Sequence, residues 1–325
     1  DLPVLETFQW CCKPIYEMEE RAWQYWKSGH YSESVIYETG KRETEWLKRI
    51  GFNKKKNMKT LYYDGSVRSD YMTELLTDLP KLPYERLSFK NTYISKIQAY
   101  PVHLMSFHWK FENVGVLPIS IVLTDCTVLR DVSIVVTFGI EKITVSLPHN
   151  TLTILELNIS TEKPAHTVIT PPIGELLSLT SLSVGGIPYP MDMSTLTNID
   201  QLRLYTSPYE GRSPRELDGF KFPPNVTDVT LGKRSHRYHS PPGDDLFKKL
   251  VLPGTLTSLT INPHIPWDDE RDGSGSGCIN YTQCEQTLTT LNFETVYADD
   301  DDIRTFVNKF TRLKTFRTPI QFIPD

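Results

Sequence analysis

The sequence predicts an α/β solenoid: a curved parallel sheet built from irregular repeats, with few helices on its convex side and a helical segment at the N-terminus. Three observations carry this. A chain of 325 residues holds 39% hydrophobic and 23% charged residues, the balance of a folded protein with a sizeable core. One apolar spacing, apolar-x-x-apolar-x-apolar, recurs down most of its length. Several copies also share wording: LTILEL, LTSLSV, LTSLTI and LTTLNF.

The copies begin with Leu5-Phe8-Trp10, Met58-Leu61-Tyr63, Tyr84-Leu87-Phe89 and Leu104-Phe107-Trp109. Ile121-Leu123, Leu129-Val132-Ile134, Ile140-Ile143-Val145 and Leu152-Leu155-Leu157 follow in the centre. The second half supplies Leu179-Leu182-Val184, Ile199-Leu202-Leu204, Val226-Val229-Leu231, Leu256-Leu259-Ile261, Leu288-Leu291-Phe293 and a faded Leu313-Phe316. The last two apolar residues of each copy alternate, so both face one side of a short strand. The first enters the core from the preceding turn. One copy cannot bury its apolar side alone, whereas copies stacked in a parallel ladder share a continuous core.

The stretch 118-PISIVLTDCTVL-129 changes period within a dozen residues. Ile121 and Leu123 alternate as on a strand, then Cys126 and Leu129 follow at intervals of three. The pattern resembles the leucine-rich repeat, L-x-x-L-x-L-x-x-N/C-x-x-L, with Cys126 in the Asn/Cys slot and Leu129 closing the turn. That slot departs from asparagine elsewhere, holding Ser66, Thr92, Glu112, Ser160 and Ser207, and Arg234 and His264 do not suit an interior turn. The spacing runs from about 10–12 residues in the centre to about 30 near the C-terminus, leaving the central copies no room for a convex helix. Helices are expected instead at 69–79 and 301–310, which have Asp or Ser starts and amphipathic spacing.

Two regions are expected: residues 1–57, a helix-rich N-terminal cap or first irregular repeat, and 58–325, the solenoid. Segments 17–29 and 42–52 read as helices with aromatic faces, whose Trp23, Trp26 and Trp46 would cover the first repeat or dock another subunit. The run Gly273 to Gly277 alternates as designed flexible linkers do, which implies that a longer native loop was replaced at 273–277.

No P-loop, dinucleotide fingerprint, serine-hydrolase elbow or zinc-protease motif is present, so no catalysis, metal or cofactor is expected. His236, His239, Cys278 and Cys284 match no common zinc spacing. The acidic run Asp299 to Asp302 suits a helix start better than a cation. A formal net charge of -5 argues against nucleic acid as partner. No apolar run approaches the roughly 18 residues of a membrane span.

A repeat ladder offers a surface instead. Between the two inward positions of each strand, Tyr62, Ser88, His108, Glu156, Ser183, Arg203, Thr230, Thr260, Asn292 and Arg317 are expected to face outward on the concave side. Tyr62, His108, Glu156 and Arg203 on that row, with Arg234, Arg237, Trp23 and Trp26, are the candidate contacts, since aromatics and arginines dominate interface energetics. The loops 205–221 and 232–250 are the other candidates. The expected function is protein–protein recognition in the cytoplasm or nucleus, as a substrate receptor or a subunit of a larger complex. The resemblance extends to fungal and protist repeat proteins, including the receptor subunits of F-box ubiquitin ligases, although no F-box motif is present. The alternative is an extracellular recognition or adhesion protein using the sequons at Asn158, Asn225 and Asn280 and a Cys278–Cys284 bond.

Overall fold

The computed structural model describes residues 34–38, 60–64, 79–81, 84–90, 99–111, 119–136, 142–159, 166–185, 192–206, 220–233, 250–261, 281–293 and 307–317. The expected helices at 17–29, 42–52 and 69–78, the loops 207–219 and 234–249, and the 273–277 run lie outside them, as does 301–306 of the last helix. The described residues form parallel strands and tight turns in two compact units. One comprises residues 1–152 and 165–171, the other 153–164 and 172–325.

In the first unit, β1 (Ser34–Glu38), β2 (Thr60–Asp64), β3 (Arg86–Lys90), β4 (Ser106–Phe111) and β6 (Asp131–Val136) pair side by side, all parallel and in register. Leu61, Leu87, Phe107 and Val132 hold one line of the ladder, and Tyr63, Phe89, Trp109 and Ile134 the line two residues on. From β3 onward both lines are buried, and large aromatic rings fill much of the space. Tyr100 meets Phe107 edge-on at 5.4 Å, while Trp109 and Phe111 stack at 5.8 Å. β1 falls inside the 1–57 stretch and was not among the copies found by spacing.

A second sheet of three strands belongs to this unit: β5 (Ile119–Val122), β7 (Lys142–Ser146) and β9 (His166–Thr170), again parallel. It buries Ile119, Ile121, Ile143 and Val145. This corrects the placing of Ile121-Leu123 and Ile143-Val145 in the same ladder as their neighbours. The chain visits the two sheets alternately through β4, β5, β6 and β7, so a central spacing of 10–12 residues is half a coil.

In the second unit, β8 (Ile154–Ile159), β10 (Ser181–Gly185), β11 (Gln201–Thr206), β12 (Asp228–Lys233), β13 (Ser258–Ile261), β14 (Thr290–Phe293) and β15 (Thr315–Arg317) form one parallel ladder. Leu155, Leu182, Leu202, Val229, Leu259 and Leu291 line up as one buried row, with Leu157, Val184, Leu204, Leu231, Ile261 and Phe293 as the next. Paired strands of the main ladders begin 20 to 32 residues apart, from Arg86 to Ser106 at the short end and from Ser258 to Thr290 at the long end.

Turns of one recurring kind lead into these strands and explain the period-three stretch. The amide of Cys126 donates to Leu123 O and that of Leu129 to Cys126 O, so every third side chain turns inward before β6 starts. Ile173-Leu176-Leu179 and Met193-Leu196-Ile199 repeat the same bonds before β10 and β11. All nine residues are buried. The thiol of Cys126 thus occupies the place that Leu176 and Leu196 fill in later coils, packed as a small apolar group. Burial pushes that thiol up to about 12, with the nearby Asp125 carboxylate adding to the shift.

Candidate functional site

The register lines between the buried positions of the two ladders hold the described candidates. In the first unit, Tyr62, Ser88, His108 and Ser133 occupy one register line, Ser133 being a member outside the expected row. His108 is 45% exposed along its side chain, and its Nε2 lies 2.8 Å from Asp131 Oδ2. Ser106 Oγ donates to the same carboxylate oxygen at 3.2 Å. The arrangement fixes the ring with its Nε2–H toward Asp131, since a carboxylate only accepts.

In the second unit the line runs Glu156, Ser183, Arg203, Thr230, Thr260, Asn292 and Arg317. Arg203 is exposed, whereas Glu156 is half-buried and accepts a hydrogen bond from Asn158 Nδ2 at 2.7 Å. The four described candidates therefore fall two to each unit: Tyr62 and His108 in one, Glu156 and Arg203 in the other. Arg234, Arg237, Trp23 and Trp26 lie outside the described residues.

A row two residues further along these strands was not anticipated. Asn158, Gly185, Tyr205 and Gly232 sit side by side on β8, β10, β11 and β12. A Cβ at Gly185 would stand 2.6 Å from Asn158 Oδ1 and 2.9 Å from Tyr205 Cβ, so only glycine fits that lane. Asn158 is 3% exposed, and its Oδ1 has no hydrogen-bond partner among the described residues. A glycan on Asn158 Nδ2 has no room in this fold, which removes one of the three sequons from the extracellular alternative. Cys284 is a free, buried thiol that donates to Tyr281 O at 3.2 Å. Burial pushes it up to about 11; Cys278 lies outside the described residues.

The strand-entrance edge carries the signal hidden in the repeated Leu-Thr wording. One carbonyl accepts two successive amides from the next strand's start, at Thr153, Thr180, Asp200, Thr227, Thr257 and Thr289 in turn. The hydroxyls of Thr180, Thr227, Thr257 and Thr289 add bonds of 3.0–3.4 Å to the preceding carbonyl in that line. These threonines hold coil to coil. At the turns, Asn198 and Asn225 do the same for Leu177 O and Thr197 O.

Among the described residues, no group of three or more His, Cys, Asp or Glu is placed to hold a metal ion, and no helix is long and apolar enough to cross a membrane. No protein-family model matches the chain, and comparison with curated proteins and with solved structures yields no significant match.

Proposed function

We propose that this chain is a protein-recognition scaffold of the leucine-rich-repeat type, a curved solenoid that works by shape and charge complementarity without chemistry of its own. One observation supports this above the rest. The in-register ladder buries alternate side chains and leaves His, Ser, Thr, Asn, Arg and Glu at most of the positions between them at least partly exposed. Rigid polar and aromatic arrays of this kind lower the entropic cost of binding, because little has to be ordered when a partner arrives. On this reading the protein serves as a substrate receptor or fixed subunit of a multiprotein complex in the cytoplasm or nucleus.

The test is affinity purification of the full chain from its source cells, comparing the wild type with Arg203→Glu, Thr230→Arg and a control, Lys142→Glu, on the second sheet. A partner set lost with the outward-row variants and kept with Lys142→Glu supports the reading. Recovery of ubiquitin-ligase core subunits in that set assigns the receptor role. A partner set indifferent to both outward-row changes, or none at all, contradicts it.

A further inference from the structure

The last coil of the second unit differs from those before it. Leu288 and Leu291 are fully buried, whereas Leu313 and Phe316, their counterparts one coil on, stay half-exposed. The Phe316 ring meets Phe293 edge-on at 5.6 Å. The backbone is open on the same side. Thr289 O accepts the amides of Lys314 and Thr315, and the equivalent carbonyl of the last coil, Lys314 O, accepts no amide among the described residues. Among those residues β15 pairs with β14 alone. Backbone groups alternate in direction along a strand, so with Thr315 turned to β14 the N–H and C=O of Phe316 face the free edge. Arg312, Lys314 and Arg317 are all exposed on this coil, and none of them is in an ion pair among the described residues. Across residues 281–293 and 307–317 the one carboxylate side chain is the half-buried Glu285.

From this open edge and its charge we infer that β15 receives an extended segment of a partner protein, added as a further parallel strand, in which apolar residues alternate with Asp or Glu. It goes beyond the recognition reading above, which concerns the outward rows and not the edge. The incoming main chain bonds Lys314 O and the Phe316 amide and carbonyl, and its apolar residues cover Leu313 and Phe316. Carboxylates at the start of the segment meet Arg312 and Lys314, and one on the outward side meets Arg317. Charged side chains on an edge limit which strand it admits. The same edge of a second copy brings cation against cation, which disfavours self-pairing and leaves an acidic strand as the complementary occupant.

The experiment uses the full chain and a fluorescein-labelled nonapeptide of alternating glutamate and valine, read by fluorescence anisotropy. Binding is expected, weakening as salt shortens the screening length. Arg312→Glu and Lys314→Glu are each expected to weaken it by about fivefold, on the order of an exposed charge pair. Lys142→Glu, on the second sheet of the first unit, is expected to leave it unchanged. The same peptide N-methylated on its glutamates is expected not to bind, because those amides are the ones turned toward β15. Hydrogen exchange on the unsubstituted chain, resolved by fragmentation mass spectrometry, is expected to be faster at the Phe316 amide than at Leu291 and to slow at Phe316 when the peptide is added. No binding, binding indifferent to both reversals, or equal binding of the N-methylated peptide or of a lysine–valine nonapeptide would overturn the inference. So would a Phe316 amide as protected in the free chain as that of Leu291, since the edge would then already be covered. The recognition reading fails separately, because its test lies in Arg203 and Thr230 and not in Arg312 and Lys314.

Discussion

The coils between β4 and β9 and those from β10 to β15 make similar advances along the chain with different return paths. In the first group a second strand lies between successive ladder strands, and Ile121, Ile143 and Val145 of that second sheet are core residues. In the second group, period-three turns such as Met193-Leu196-Ile199 lead into the ladder, and threonine and asparagine side chains tie coil to coil. The cores differ to match. Phe107, Trp109 and Phe111 stand among the Ile, Leu and Val side chains of the first, while Leu, Val and Ile fill most of the second. The lesson is that the ladder strand is the invariant part of the coil. What closes the coil is free to change, because any segment that buries one apolar face and satisfies its own backbone will serve.

The largest test of this contrast removes core side chains on each path. Leu182→Ala, at 0% exposure between Leu155 and Leu202, is expected to cost about 2–5 kcal/mol by denaturant unfolding. Val145→Ala on the second sheet is expected to cost roughly 2 kcal/mol, since a fully buried Val contributes that order of free energy. A negligible cost at Val145 would remove the second sheet from the core and break the comparison.

Next comes Gly185→Ala, whose new methyl meets Asn158 Oδ1 and Tyr205 Cβ; it is expected to cost about 1–3 kcal/mol. The double variant Gly185→Ala with Asn158→Ala should recover part of that loss, and full additivity of the two changes would contradict the lane described. A smaller effect is expected from Thr257→Val, which deletes the hydroxyl bond to Thr227 O while keeping the volume and should cost about 1 kcal/mol.

The smallest expected effect is chemical. Cys126 and Cys284 are buried free thiols pushed up to about 12 and about 11, so alkylation at mild pH should spare both until the protein is unfolded. Peptide mass spectrometry reads this directly. The sign of the linkage follows: neutral thiols favour the folded state, so their contribution is full below the unfolded value of 9.0 and declines as pH rises toward 11–12. Rapid labelling of native Cys126 would contradict the packing of the turn before β6.

Much of the ladder was legible because burial of alternate residues leaves a period of two, and a turn that points every third residue inward leaves a period of three. Leu182 and Val184, or Leu202 and Leu204, announce themselves in this way. The second sheet was hidden by the same rule: Ile121 and Ile143-Val145 carry an identical period, and spacing does not say which sheet a strand joins. β9 escaped notice because its inward positions hold Thr167 and Ile169, both half-exposed, leaving only a β-branched run bounded by Pro164 and Pro171. The outward row was legible in part, since it follows from the alternation: Arg203 and Arg317 are exposed, whereas Ser183 is buried and the Tyr62 side chain lies outside what the structure describes. The Asp131–Ser106–His108 cluster was not legible, because Asp131 lies about 25 residues from the other two and only register joins them. The shared Leu-Thr wording was visible, yet its meaning needed the carbonyl of the preceding coil.

The central claim is the parallel register that sets the outward rows, and paired cysteines test it most directly. Thr230 and Thr260 are register partners on β12 and β13, so Thr230→Cys with Thr260→Cys places two Cα atoms within the range a disulfide spans. Under mild oxidation that pair is expected to cross-link, identified by mass spectrometry of the joined peptides. Thr230→Cys with Ser258→Cys, displaced by two residues, is expected to cross-link far more slowly. Preferential cross-linking of the displaced pair would shift the ladder and contradict every outward row described above.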